Sequence, residues 1–525
     1  MRRYLVVPLA VLLTACAGTA APPTPAYTLS ASTPPPKGDI DSFTWAMYAE
    51  PPTLDYIYAF DYPQNMILSN VCESLMRWTP QLTMEPGLAS GVSNPDPKTF
   101  VYTIRSGVRF HRGGEMTADD VVYSLRRQLD PALGSYWNKA VGNVQSVTKT
   151  GPMQVTVKLK RPDALFPQWM ATSAGTVVSA RSAKAMGKAF GAADGGLDCT
   201  GPFKLGTWTK GESIEVDRFD GYWGRRARSG KVIFRFVPDL NARTTTMVTG
   251  EADGGYLITP DSYARLQSSG KGRLYFGKSL TTINLSVTNL KGAIGDIRVR
   301  KALMLALDRQ GFMKTGLAGI GSLSAAPAPR DAWQGATPGV TTPVAPDLAK
   351  AKQLIKEAGA TGKKVVVATS PIGPDVSLLA TAVQAAGTQI GLRVELKTIA
   401  PDAYTALFSD PQARAAVDLF PNTYYLSVTD PLAGYALFRT GDFENYTGFS
   451  DPAYDKLVDR ALAEYDPAKR AALTAELERK EVDQALWIPV AEWPTTMFLG
   501  NRITGAPTTI SYMYYPWAAD VGAAG

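Results

Sequence analysis

Histidine is almost missing from this chain: His111 is the only one among 525 residues. A single imidazole excludes two-histidine metal motifs such as H-E-x-x-H and leaves any Ser-His-Asp triad dependent on one ring. No G-x-S-x-G elbow occurs, no phosphate-cradling loop is expected, and Gly319-Ile320-Gly321 reads as an ordinary loop. Cysteine is scarce as well, confined to positions 16, 72 and 199 without zinc-finger spacing. The apolar run from Tyr4 to Leu13 is about half of the roughly 20 residues that span a bilayer. Basic residues form no long run, and 54 Lys+Arg against 47 Asp+Glu give a mild net charge of +7. Nucleic-acid binding therefore has little support. These absences leave little to carry catalysis, no cofactor is expected, and a secreted hydrolase stands only as the rival class.

What is present begins with an export signal: Arg2 and Arg3 precede the short apolar core, as the charged and hydrophobic regions of such signals do. Leu13-Thr14-Ala15-Cys16 resembles a lipobox, in which Cys16 receives a diacylglycerol and becomes the mature N-terminus. Acyl chains there would hold the protein on a membrane. The following segment, rich in Pro, Ala and Thr, has little to bury and is expected to be a disordered tether through residue 38. The longest patterned stretch is Pro86 to Arg127, PGLASGVSNPDPKTFVYTIRSGVRFHRGGEMTADDVVYSLRR. It reads as strand, turn, strand, turn, helix. Thr117 with Asp120 makes a capping box, and Val121, Leu125 and Leu129 share a helix face that Pro131 terminates.

That stretch resembles the signature of the large extracytoplasmic solute-binding proteins of ABC importers, the family of oligopeptide, dipeptide and nickel receptors. Further motifs follow in the family's order: Pro51-Pro52-Thr53-Leu54-Asp55, Asn70 to Leu75, Cys199 to Leu205, Asp220-Gly221-Tyr222-Trp223-Gly224, Gly250-Glu251-Ala252-Asp253, and IRVRKALMLALDR from Ile297. Asp296 is a good cap for that last helix, whose Arg298, Arg300 and Lys301 read as its solvated face. His111 falls on the family's F-H-x-G and reads as a structural turn residue. From Asp347 the chain alternates helix, strand, helix and strand with short links, the pattern of a parallel sheet.

The resemblance implies an α/β fold of the two-lobed periplasmic-binding-protein (clamshell) type, large peptide-binding form, with a subdomain inserted in the first lobe. The expected division is a signal peptide at 1–15 and a lipidated Cys16 with tether at 16–38. Lobe I comprises 39–73, 176–272 and 492–525, its inserted subdomain 74–175, and lobe II 273–491. A ligand held between lobes favours the closed form, which the family's membrane permease recognises. The expected protein is a monomer on the extracytoplasmic face, at the cell surface or in the periplasm. Cys72 and Cys199 share lobe I in an oxidising compartment, where they form either a disulfide or two small buried thiols.

Peptide-binding members meet the ligand's α-ammonium with an aspartate in a D-x-x-D/E-P motif. Here the segment is Tyr424-Tyr425-Leu426-Ser427-Val428-Thr429-Asp430-Pro431, so Asp430 matches and Ser427 occupies the amine-binding place. A hydroxyl is a weaker partner than a carboxylate for a buried ammonium. Asp61 is expected to supply the charge from the other lobe. A peptide is the leading ligand; an N-blocked peptide or an oligosaccharide, met by hydroxyls and stacked rings, is the alternative. The other expected cleft residues are Ala59, Phe60, Tyr136, Trp137, Tyr424, Tyr425 and Trp493. Free hydrated nickel is disfavoured, since soft and imidazole ligands are missing apart from His111.

Overall fold

Strand Ile40–Met47 buries Phe43, Trp45, Ala46 and Met47, and burial on both faces suits it to the middle of a covered sheet. It is the fourth strand of seven in the computed structural model, which describes residues 27–408 and 410–525. The expected signal peptide, Cys16 and the start of the tether lie outside the described residues. Across this first sheet the order is Phe203–Thr209, Ser213–Arg218, Ser229–Phe236, Ile40–Met47, Gly254–Tyr256, Thr495–Gly500 and Gly272–Gly277. Three distant stretches of sequence therefore build one sheet. Its core closes around Trp45 and Trp517, with ring centroids 4.7 Å apart, and Tyr256 stacked on Tyr512 at 3.8 Å.

The second sheet runs Ser322–Leu323, Trp487–Glu492, Thr281–Val287, Leu419–Tyr425, Lys364–Thr369 and Arg393–Thr398. Lys364–Thr369, helix Pro374–Gln389 and Arg393–Thr398 form a parallel βαβ unit, in keeping with the short links read from the sequence. Asp296 and Asp347 cap their helices through Arg298 N and Lys350 N. Arg300 departs from its expected solvated face. It is 3 % exposed, and its guanidinium donates to the carbonyls of Ile294, Gly295 and Gln484, three acceptors that make its burial tolerable.

A four-stranded antiparallel sheet, Ala89–Asp96, Thr99–Ile104, Gln154–Leu159 and Val144–Gly151, carries helix Ala118–Gln128. The Thr117 N–H donates to Asp120 at 2.9 Å, completing the capping box. Glu73–Ser74 pairs with Thr176–Val177, so the chain leaves for this subdomain and returns at one place.

Two corrections concern the chain's divisions. Residues 27–38 are not a free tether: they run along the first sheet, with Ser30 N on Phe276 O, Thr33 N on Ala506 O and Lys37 N on Ala523 O, each at 2.9 Å. Backbone pairing orders a segment whose side chains alone would not. Gly272–Gly277 pairs with Thr495–Gly500 in the first sheet, so the chain crosses at residues 278–280 and not at the expected 272/273 boundary. It returns through Trp493–Pro494, and the crossovers are joined by Trp493 N to Thr281 O at 3.2 Å and by the Ser279 hydroxyl to Trp493 O.

The string Gly272 to Ser279 also carries the letter spacing of a phosphate-binding G-x-x-x-x-G-K-S loop, which the sequence reading passed over. That motif needs a loop opening a helix. Here its first six residues are an edge strand and Lys278 pairs with Asp331 at 3.0 Å, so it forms no phosphate cradle.

Candidate functional site: the seam between the lobes

Most of the recurring motif residues hold the scaffold together. Asp55 receives both arms of the Arg127 guanidinium at 2.6 Å, joining the P-P-T-L-D segment to the last residue of the long signature. Glu73 accepts from Thr200, Tyr222 and Trp223, each at 2.9 Å, so two other motifs converge on the buried carboxylate of a third. Burial raises its pKa and those three donors oppose the rise. His111 Nε2 lies 3.0 Å from Gly201 O, and burial pushes its pKa down to about 4. Cys72 and Cys199 form a disulfide with Cα atoms 4.9 Å apart. Beside it lies a small pocket bordered by Glu73, Arg77 and Tyr514.

The lobes meet in an aromatic seam. From the first lobe come Phe60 and Tyr62, either side of Asp61, which caps helix Tyr62–Val71. From the inserted subdomain, Tyr136 stacks on Phe60 with centroids 4.7 Å apart. From the second lobe, Tyr425 packs on Tyr62 at 4.9 Å and donates its hydroxyl to Phe60 O. Tyr514 completes the ring, its hydroxyl 3.3 Å from Ser427 Oγ. Further contacts hold this arrangement shut: Tyr465 donates to Pro97 O and Ala164 N to Leu462 O, both at 2.8 Å.

Asp61 carries the charge of this seam. Its carboxylate accepts from Tyr62 N at 2.8 Å and from the Tyr48 hydroxyl at 3.2 Å. Burial pushes its pKa up, with those donors opposing, and among the described residues no Lys or Arg contributes. On the other side of the seam, Asp375 accepts from Thr423 at 2.5 Å and is likewise raised by burial. Tyr62 lies within electrostatic reach of both carboxylates. Desolvated acids without a cation favour a positively charged guest.

Of the ten expected cleft residues, Phe60, Asp61, Tyr136, Tyr425 and Ser427 meet here. Ala59 and Trp137 lie behind the seam, both fully buried, with Trp137 Nε1 donating to Ala59 O at 3.1 Å. Tyr424 points into the second lobe, where it contacts Trp487 and reaches Glu444 at 3.2 Å. Strand alternation sends neighbouring side chains to opposite faces, so Tyr424 and Tyr425 part company. Asp430 is committed elsewhere: it pairs with Arg470 at 2.8 Å and caps Leu432 N at 3.0 Å. Trp493 lines a different cavity, beside the crossovers. Tyr62, Tyr514 and Asp375 were missed. Tyr62 adjoined a chosen residue; Tyr514 and Asp375 lie in stretches where local pattern gives no cue to the seam.

Two sheets on separate lobes, crossed twice by the chain and meeting at an aromatic seam, define a two-lobed binding protein of the periplasmic type. The chain matches the bacterial extracellular solute-binding proteins, family 5, over residues 83–446, and it belongs to that family. It is 25% identical over 512 residues to the dipeptide-binding protein DppE of Bacillus subtilis, covering 89% of this chain and 90% of that one. With heme-binding protein A of Haemophilus influenzae it shares 26% identity over 470 residues, 83% of each chain. In structure it is similar to the periplasmic binding protein DppA of Helicobacter pylori, solved with the peptide STSA. The TM-score is 0.82 at 21% identity, covering 93% of this chain and 99% of that one. The family is extracytoplasmic, and among the described residues no helix is long and apolar enough to cross a membrane.

Proposed function

We propose that this protein is the substrate-binding lipoprotein of an ABC importer, capturing a peptide between its lobes and delivering it to the permease. It works as a monomer, held to the membrane through a lipid on Cys16, with no cofactor and no nucleic-acid partner. The reading is carried by the seam: rings from both lobes and the inserted subdomain surround Asp61, an acid without a cationic partner. Aromatic faces accept varied side chains, while the carboxylate takes the peptide's ammonium in the role that Ser427 cannot fill. Closure over the guest joins the lobes, and the permease reads that joined surface.

Ser427 favours one second reading, an N-blocked peptide or an oligosaccharide met by hydroxyls and rings. Thermal unfolding of the full chain in mild detergent separates the two. A ligand at a hundred times its dissociation constant stabilises the folded state by about 2.7 kcal/mol. Free di- to octapeptides should raise the midpoint, and their N-acetylated forms should not. Asp61→Asn should weaken free-peptide binding tenfold or more. A shift with blocked peptides or sugars alone would transfer the assignment to the second reading. Cys16→Ser should release the protein from the membrane fraction.

A further inference from the structure

The Gly272–Gly277 edge of the first sheet carries a further contact between the lobes, made by the N-terminal strap. Residues 27–38 belong to the first lobe, held on Phe276, Ala506 and Ala523. Tyr27, the first described residue, keeps its ring on Phe276 with centroids 5.2 Å apart. Its hydroxyl nonetheless serves the other lobe: it accepts from Gly321 N at 2.9 Å and donates to Gly321 O at 3.3 Å. Gly321 is fixed against the second sheet's edge. Its φ is +108°, and a Cβ there would lie 2.4 Å from Glu492 O, so only glycine sits in this place.

Next to it, Ile320 leaves its own lobe and is 1 % exposed within the first lobe's apolar cluster of Tyr263, Leu266 and Phe276. Between strap and crossovers lies a small, half-open pocket lined by Tyr27, Leu29, Lys278, Asp331, Glu492 and Trp493. Beyond the crossovers' own bonds, Tyr27 and Ile320 thus tie the second lobe to the strap and to the first lobe's apolar cluster.

We infer that Tyr27 and Ile320 form a latch that biases the lobes toward the closed arrangement independently of ligand. Rotation about residues 278–280 and 493–494 carries Gly321 with one lobe and Tyr27 with the other. A two-bond clasp on one peptide unit tolerates little displacement. A contact made in one of two states shifts their ratio by its own free energy.

Interlobe distances measured by spin–spin spectroscopy on the full chain test the latch without any ligand, so failure of the peptide reading would leave the result standing. Labels are carried by non-natural residues at exposed Ser268 and Lys356. Tyr27→Phe keeps the ring and removes the clasp. It should lower the closed-to-open ratio roughly five-fold, with the melting midpoint nearly unchanged. Ile320→Ala should move the distribution in the same sense. Unchanged distributions in both variants would overturn the latch, and so would a lower melting point in Ile320→Ala with distances unmoved, which marks ordinary packing.

Discussion

Single residues here divide between the seam and the scaffold behind it. Trp137 holds an expected cleft position but is fully buried, its indole tied to Ala59 O and its edge toward Tyr514. Trp137→Ala should therefore cost about 3–5 kcal/mol in denaturant unfolding, far beyond its effect on any ligand. Glu481 offers a pH test. Burial lifts its pKa to about 8, opposed by the N–H of Trp487, whereas in the unfolded chain it titrates near 4.5. The folded state thus keeps the proton that the unfolded state releases, so this contribution is full below about pH 4.5 and is lost as pH rises toward 8. Glu481→Gln should flatten the decline of the melting midpoint between pH 5 and 8. The sequence could place Phe60 and Asp61 at the seam because they follow a motif closely. Asp430 was misread for the same reason: the motif fixed its address, but its partner Arg470 lies forty residues away, and only the fold brings them together.

At the scale of elements, local chemistry was the readable part. The Thr117–Asp120 box, the Asp296 and Asp347 caps and the βαβ unit each depend on neighbours within a few positions, and each is present. What the pattern could not give was pairing between distant segments. The strap at 27–38 lacks apolar periodicity because its order comes from backbone bonds to strands hundreds of residues away. The 272/273 boundary was misplaced because Gly272–Gly277 can be assigned only through its partner Thr495–Gly500. The disulfide is a further long-range tie, spanning 127 residues and enclosing the whole inserted subdomain. Replacing both cysteines by alanine should lower stability by about 2–5 kcal/mol, read as a reduced denaturant midpoint with ligand affinity retained.

For the whole molecule, the two lobes meet at the seam and are joined by a double crossover. The family's architecture was legible from the order of its motifs. The guest was not, because the seam gathers side chains from three parts of the chain. The first sheet also sets a limit on truncation. Thr495–Gly500 lies between Gly254–Tyr256 and Gly272–Gly277, and Trp517 fills the core beneath. Ending the chain at Pro494 should abolish cooperative unfolding of the first lobe in calorimetry.

The same interior strand bears on the order of synthesis. A ribosome releases the amino end first, and domains generally fold as units while the chain emerges. Here the first lobe lacks an interior strand until Thr495–Gly500 has been made, long after its neighbours Gly254–Tyr256 and Gly272–Gly277. The nascent first lobe therefore stays incomplete until that late strand emerges. For a chain bound across a membrane, that delay keeps it loose enough to be threaded through a translocation channel before it locks.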